Sequence, residues 1–346
     1  MTSPHRISRR GLLAGAPILA LSALASSRAR ADAPPGGAPP SQATTVRVGS
    51  RIVRMASDAR GLTVLLELDH APFPSSGGGY ADPSVVVFIP HHHRVGRDAN
   101  VSTVVHFHGH HSTAERAIVT HHLREQLYES KQNAILVVPQ LAVNAADSAA
   151  GKLDHNGGFA RMLLDTLRTL DTSAVRAVAG SAALAPNPGI GRVCLSAHSG
   201  GYHAAAAALR SGAVAIDEVY LFDALYAEAD VFRDWVIAGH GKPMGARHKL
   251  VSYFTSGRTE ANTTAMFAEL ERSGVVCVRE QVEGTLSRGE LTRSEAVSIR
   301  TQVAHGAVTS ELNGLRDCLY ASSLRRNLHS SWFEAKNGAR PIERRR

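Results

Sequence analysis

Residues 193–201 read Val-Cys-Leu-Ser-Ala-His-Ser-Gly-Gly, and an alanine-rich stretch begins at Tyr202. A short apolar run that passes at once into a helix former reads as a buried strand joined to a helix by a turn of almost no length, with Ser199 on the turn. So sharp a reversal forces its apical residue into strained backbone geometry. Strand and helix can then pass each other only if the side chains two before and two after the apex are small. Ala197 and Gly201 meet that requirement.

The flanking sequence repeats the strand–helix alternation. Short continuous apolar runs at 84–89, 102–107, 134–138, 191–196, 218–222 and 249–254 suit strands buried on both faces. Between them 158–170, 202–210 and 262–272 read as helices, the last with Asn262 as N-cap and Gly274 as C-terminal stop. Such alternation predicts a mainly parallel central sheet with helices on both faces. Ahead of it, β-branched runs at 46–55 and 61–68 predict antiparallel edge strands.

The first 31 residues read as an export signal: Arg9-Arg10, a weakly hydrophobic run over 12–25, and the small-x-small site Ala29-Arg30-Ala31. Ser-Arg-Arg-Gly-Leu-Leu resembles a twin-arginine signal, with an ordinary Sec signal as the rival, and the resemblance implies passage through the twin-arginine (Tat) machinery to a periplasmic or secreted location. The run is short against the roughly 20 residues of a bilayer span, so no stable membrane anchor is expected. Residues 32–43 read as a flexible Pro/Gly/Ala leader, and 44–346 as a single domain with a short basic C-terminal tail. The net charge of +8 dissolves on division, because residues 1–31 hold five arginines and no acid and Arg344, Arg345 and Arg346 lie at the other end. The body is close to neutral, and nucleic acid is not an expected partner. Three cysteines cannot all pair, and Cys194 and Cys277 sit in apolar strand-like runs, so free thiols are expected.

Over residues 84–320 the chain resembles the α/β-hydrolase superfamily, whose nucleophile elbow reads Gly-x-Ser-x-Gly; Ala197 replaces the first glycine here. The resemblance implies the α/β-hydrolase fold, with Ser199 as nucleophile and an acid and then a histidine on later loops at the carboxyl ends of strands. A serine hydroxyl needs a base to take its proton, and the base needs an acid to fix its tautomer. Asp223 closes the run 219–222 and is the first candidate acid; Glu260, one strand further on, is the alternative. His305, after the β-rich run from Val297, is the candidate base. Two N–H donors must face the oxyanion: Gly200 supplies one, and the His-Gly segment after residues 102–107 supplies the other at Gly109 or His110. A small-molecule or polymeric ester is the expected substrate, with a peptide bond as the second choice and no cofactor required.

Nine of the 18 histidines fall between His91 and His122. Within them His106, His108, His110 and His111 imitate the His-x-His-x-Asp-His run of metallo-β-lactamase-type hydrolases, although position three is His110 rather than aspartate. A zinc-dependent hydrolase is therefore one competing reading, and a catalytically silent fold used for binding is another.

Overall fold

Hydrophobic periodicity sorts the described residues into ten strands: β1 (Arg51–Ser57), β2 (Gly61–Glu67), β3 (Ser84–Pro90), β4 (Asn100–Phe107), β5 (Ile135–Pro139), β6 (Gly189–His198), β7 (Glu218–Phe222), β8 (Lys249–Phe254), β9 (Cys277–Glu280) and β10 (Ala296–Arg300). The computed structural model describes residues 49–76, 79–327 and 344–345; the export signal and leader expected at 1–43 lie outside them. The strands form one sheet in the order β1-β2-β3-β5-β4-β6-β7-β8-β10-β9. The pairings from β1 to β5 across β2 and β3 are antiparallel, and every pairing beyond β5 is parallel. This is the α/β-hydrolase fold, with its antiparallel strands at the N-terminal edge.

The helices are α1 (Ala114–Thr120), α2 (Leu123–Ser130), α3 (Gly158–Leu170), α4 (Ser173–Ala179), α5 (Tyr202–Ser211), α6 (Ala229–Gly239), α7 (Arg258–Arg272), α8 (Arg288–Arg293) and α9 (Gly314–Tyr320). They divide between the two faces of the sheet because side chains alternate along each strand. Val193, Leu195 and Ala197 of β6 enter a core built with α3, α5, α6 and α7. Cys194, between them, enters the opposite core, which α1, α2, α8 and α9 cover. Strands clothed on both sides need no polar face, and β5, β7 and β8 are buried throughout.

Two boundaries differ from the sequence expectation. Helix α7 starts at Arg258, after Gly257, so Asn262 lies inside it and is no cap. The Asn262 amide instead donates to the carbonyls of Leu225 and Tyr226, acceptors that only the tertiary fold brings within reach. Gly274, at φ +83°, does end the helix as expected. At the far edge both 277–280 and 296–300 are strands, and β10 slips between β8 and β9. The intervening segment carries α8, started by a capping box in which Ser287 and Glu290 satisfy each other's backbone N–H.

Strands β4 and β6 are neighbours whose outgoing connections run in opposite directions, to β5 on one side and to β7 on the other. In open α/β sheets that reversal leaves a crevice at the carboxyl ends of the two strands. Gly109 follows β4 there, and Ser199 follows β6.

Candidate active site

Strand β6 ends at His198, a single 3-10 turn covers Ser199–Gly201, and α5 leaves at Tyr202. The apex is strained as the sequence requires: Ser199 has φ +51°, a conformation that L-residues adopt at a cost. Space is equally tight. A Cβ at Gly201 would lie 2.4 Å from the carbonyl oxygen of Phe107, and one at Gly109 would lie 2.8 Å from the Ser199 Cβ. The small residues let the turn pass over the end of β4 and bring the Gly109 backbone against the serine.

The structure brings Ser199, His305 and Asp223 together. His305 Nε2 is 2.9 Å from Ser199 Oγ, and His305 Nδ1 is 2.6 Å from Asp223 Oδ2. With Nδ1–H donated to the carboxylate, Nε2 keeps its lone pair toward the serine hydroxyl. Asp223 stands directly after β7, itself at φ +46°. Its carboxylate also accepts from the Thr255 amide at 3.1 Å, the Thr255 hydroxyl at 2.8 Å and the Thr259 hydroxyl. Burial pushes this carboxyl up, but the hydrogen bonds from His305, Thr259 and Thr255 outweigh it and hold the group below the usual carboxylate range. The Asp223 side chain is 2% exposed and that of His305 42%, so the acid is sealed while the base faces the crevice.

Glu260 does not join this group. It lies in the first turn of α7 with its carboxylate 3.9 Å from the Arg300 guanidinium. The loop that made Glu260 a candidate supplies Thr255 and Thr259 instead, two hydroxyls that hold the other acid. Of the remaining histidines past the serine, His203 pairs with Glu228 and Asp154, His240 with Glu295, and His248 with the Trp235 carbonyl. His329 lies outside the described residues.

Gly200 and the Gly109–His110 segment flank the serine, where the two oxyanion donors were expected. The His110 ring lies on Gly200, so close that a Cβ there would come 2.2 Å from its Cδ2, and His110 Nε2 meets Ser148 Oγ at 2.8 Å. No family model matches the chain, and no curated protein matches it. Among solved structures it is similar to an S-formylglutathione hydrolase from Agrobacterium tumefaciens, at 13% identity and TM-score 0.41 over 83% of this chain and 100% of that one. It is also similar to a ferulic acid esterase (11%, TM-score 0.43, 79% and 96%) and to a thermophilic carboxylesterase cloned from a metagenomic library (14%, TM-score 0.38, 80% and 90%). At that level the likenesses carry no argument about chemistry, which rests on the geometry of the site.

The zinc-like histidine run is taken apart by the fold. Strand β4 ends at Phe107, so only His106 has a strand direction and the other three follow the loop. His106 Nδ1 is 2.8 Å from Ser196 Oγ. His108 donates from Nδ1 to the Gly109 carbonyl and accepts at Nε2 from the Leu141 amide and the Gln140 side chain. His110 meets Ser148, and His111 sits at φ +52° with its amide on the Ala145 carbonyl. Each imidazole or its backbone is engaged separately, and among the described residues no three His, Cys, Asp or Glu side chains are grouped to hold a metal ion. Sequence reasoning also missed His198 and His121. The ring of His198 lies 4.9 Å from that of His305, and the ring of His121 lies 4.6 Å from that of His198. His121 belongs to the histidine run and His198 to the serine turn, but neither position in the sequence marks it as part of a row leading to His305.

Proposed function

We propose that the chain is a serine hydrolase that cleaves ester-type acyl bonds through Ser199, His305 and Asp223. The observation that supports this best is the unbroken series from Ser199 Oγ to His305 Nε2 at 2.9 Å and from His305 Nδ1 to Asp223 Oδ2 at 2.6 Å. As the Ser199 oxygen attacks the ester carbonyl, His305 Nε2 takes its proton, and the buried Asp223 carboxylate stabilises the imidazolium. The carbonyl oxygen becomes an oxyanion beside the Gly200 amide and the Gly109–His110 backbone. Collapse of the tetrahedral intermediate passes the His305 proton to the departing alcohol and leaves an acyl-serine. Water then attacks, with His305 as base, and the acid is released while Ser199 regains its proton. None of these steps draws on a cofactor.

A fluorophosphonate probe tests the reading. Wild type is expected to be labelled stoichiometrically and to turn over p-nitrophenyl esters of graded chain length, while Ser199→Ala is expected to do neither. Folded wild-type protein that is neither labelled nor active would leave a silent binding fold as the better description. Export by the twin-arginine route belongs to the same proposal and rests on Arg9 and Arg10. Replacing both by lysine is expected to leave the protein unprocessed inside the cell, and undiminished export would point to the Sec route.

A further inference from the structure

Behind the candidate triad runs a row of imidazoles that the reaction above does not use. Ring centroids are 5.6 Å apart from His106 to His121, 4.6 Å from His121 to His198, and 4.9 Å from His198 to His305. His106 and His198 point to the same face of the sheet because they stand on neighbouring strands at matching parity: β4 and β6 pair His106 with Ser196, and His198 is two residues on. His121 reaches the row from the end of α1, which covers that face. His106, His121 and His198 are all buried. The row therefore leads from the core, through the residue immediately before the nucleophile, to the base.

One contact gives it a direction. His198 Nε2–H donates to the backbone carbonyl of His305 at 2.9 Å, while the other edge of the ring faces the tight approach of Gly109, where a Cβ would come 3.1 Å from His198 Nδ1. We propose that His198 is a positioning residue for the base: it ties the backbone of His305 to the end of β6, so that the histidine side chain meets Ser199 and Asp223 in register. The need is physical. His305 belongs to the short turn His305–Ala307 after β10, two strands beyond β7 in the sheet, and its ring must satisfy two partners at once. A peg from the same strand end that carries the serine fixes base and nucleophile to one frame. Histidine suits the task because its donor sits at the far end of a flat ring that also packs in tilted contact with the rings of His121 and His305. Burial keeps this imidazole neutral, down to about 4, so it places no charge beside the imidazolium that forms on His305.

This inference rests on the serine-hydrolase reading for its kinetic consequence but not for its structural one, and the two are measured separately. His198→Phe keeps a flat ring and loses the donor; His198→Gln keeps an N–H at the same reach and loses the ring. With a short p-nitrophenyl ester, His198→Phe is expected to lower kcat about 10²-fold, the scale of a misplaced catalytic group, with KM changed by less than about threefold. His198→Gln is expected to recover most of that loss. In parallel, the proton between His305 Nδ1 and Asp223 is followed as a low-field NMR signal, assigned by its loss in Asp223→Asn. It is expected to be sharp in wild type and His198→Gln, and broadened or absent in His198→Phe at unchanged far-ultraviolet circular dichroism. Retention of both kcat and the low-field signal in His198→Phe would overturn the proposal, as would equal impairment of the two variants. If wild type hydrolyses no ester and takes no probe, the hydrolase reading fails, and the low-field signal still decides whether His198 positions the His305 ring.

Discussion

Ser199 carries both the proposed chemistry and the strain of its turn. Its φ of +51° places an L-residue in the left-handed region, which costs roughly 1–2 kcal/mol. A glycine there relieves the strain but adds freedom to the unfolded chain worth about 0.5–1 kcal/mol. Ser199→Gly and Ser199→Ala both lack the hydroxyl, so the comparison isolates the backbone. Ser199→Gly is expected to be the more stable of the two by about 0.5 kcal/mol in chemical denaturation, and both are expected to be inactive. An alanine variant more stable than the glycine variant by about 0.5–1 kcal/mol would mean that the turn stores no strain. Two cysteines give a contrasting case: Cys194 and Cys277 are free thiols, and burial pushes Cys277 up to about 12, so little reactive thiolate forms near neutrality.

At the scale of elements, the crossing of β4 by the start of α5 decides whether the site exists. Two adjacent glycines meet different neighbours there. A Cβ at Gly201 would press on the Phe107 carbonyl, which is backbone held in the sheet, whereas a Cβ at Gly200 would press on the His110 ring, a side chain able to swing aside. Gly201→Ala is therefore expected to destabilise the fold by about 1–3 kcal/mol, the usual cost of overpacking, and to impair expression. Gly200→Ala is expected to cost much less stability while lowering turnover, because the displaced His110 borders the serine. Equal thermal shifts for the two variants would contradict this account. The same reasoning explains why the acid was not settled by sequence. Asp223 and Glu260 each follow a parallel strand, and only the tertiary fold gives Asp223 the hydroxyls of Thr255 and Thr259 and leaves Glu260 beside Arg300.

For the whole molecule, the buried histidines couple stability to pH. Burial holds His92 and His198 down to about 4 and His121 down to about 3, against 6.5 for a free imidazole. The unfolded chain takes up protons at these rings as the pH drops below about 6.5, and the folded chain does so only nearer 4 and 3. Their contribution to stability is accordingly complete above pH 6.5 and is lost progressively as the pH falls toward 4. Urea midpoints measured from pH 7.5 to 4 are expected to fall steadily over that window, and His121→Phe is expected to make the fall shallower by removing one of the rings. A midpoint independent of pH between 6.5 and 4.5 would rule the linkage out. Near the C-terminus Arg344 pairs with Glu311 and Arg345 with Glu129. No helix among the described residues is long and apolar enough to cross a membrane.

Local sequence determined the elements and the turn that carries Ser199, because burial on both faces leaves continuous apolar runs and a strand-to-helix reversal tolerates only small neighbours at Ala197 and Gly201. It also narrowed the partners to a few residues, since loops at strand ends are marked by where apolar runs stop. Tertiary structure decided what depends on distance between segments far apart in the chain. It chose Asp223 over Glu260, and it dispersed a histidine run that looks contiguous only in one dimension. It also slid β10 inside β9, carrying His305 across the sheet to a serine more than 100 residues earlier. The turn at Ser199 is a property of nine consecutive residues; the hydrogen bonds that would make its hydroxyl reactive are a property of the fold.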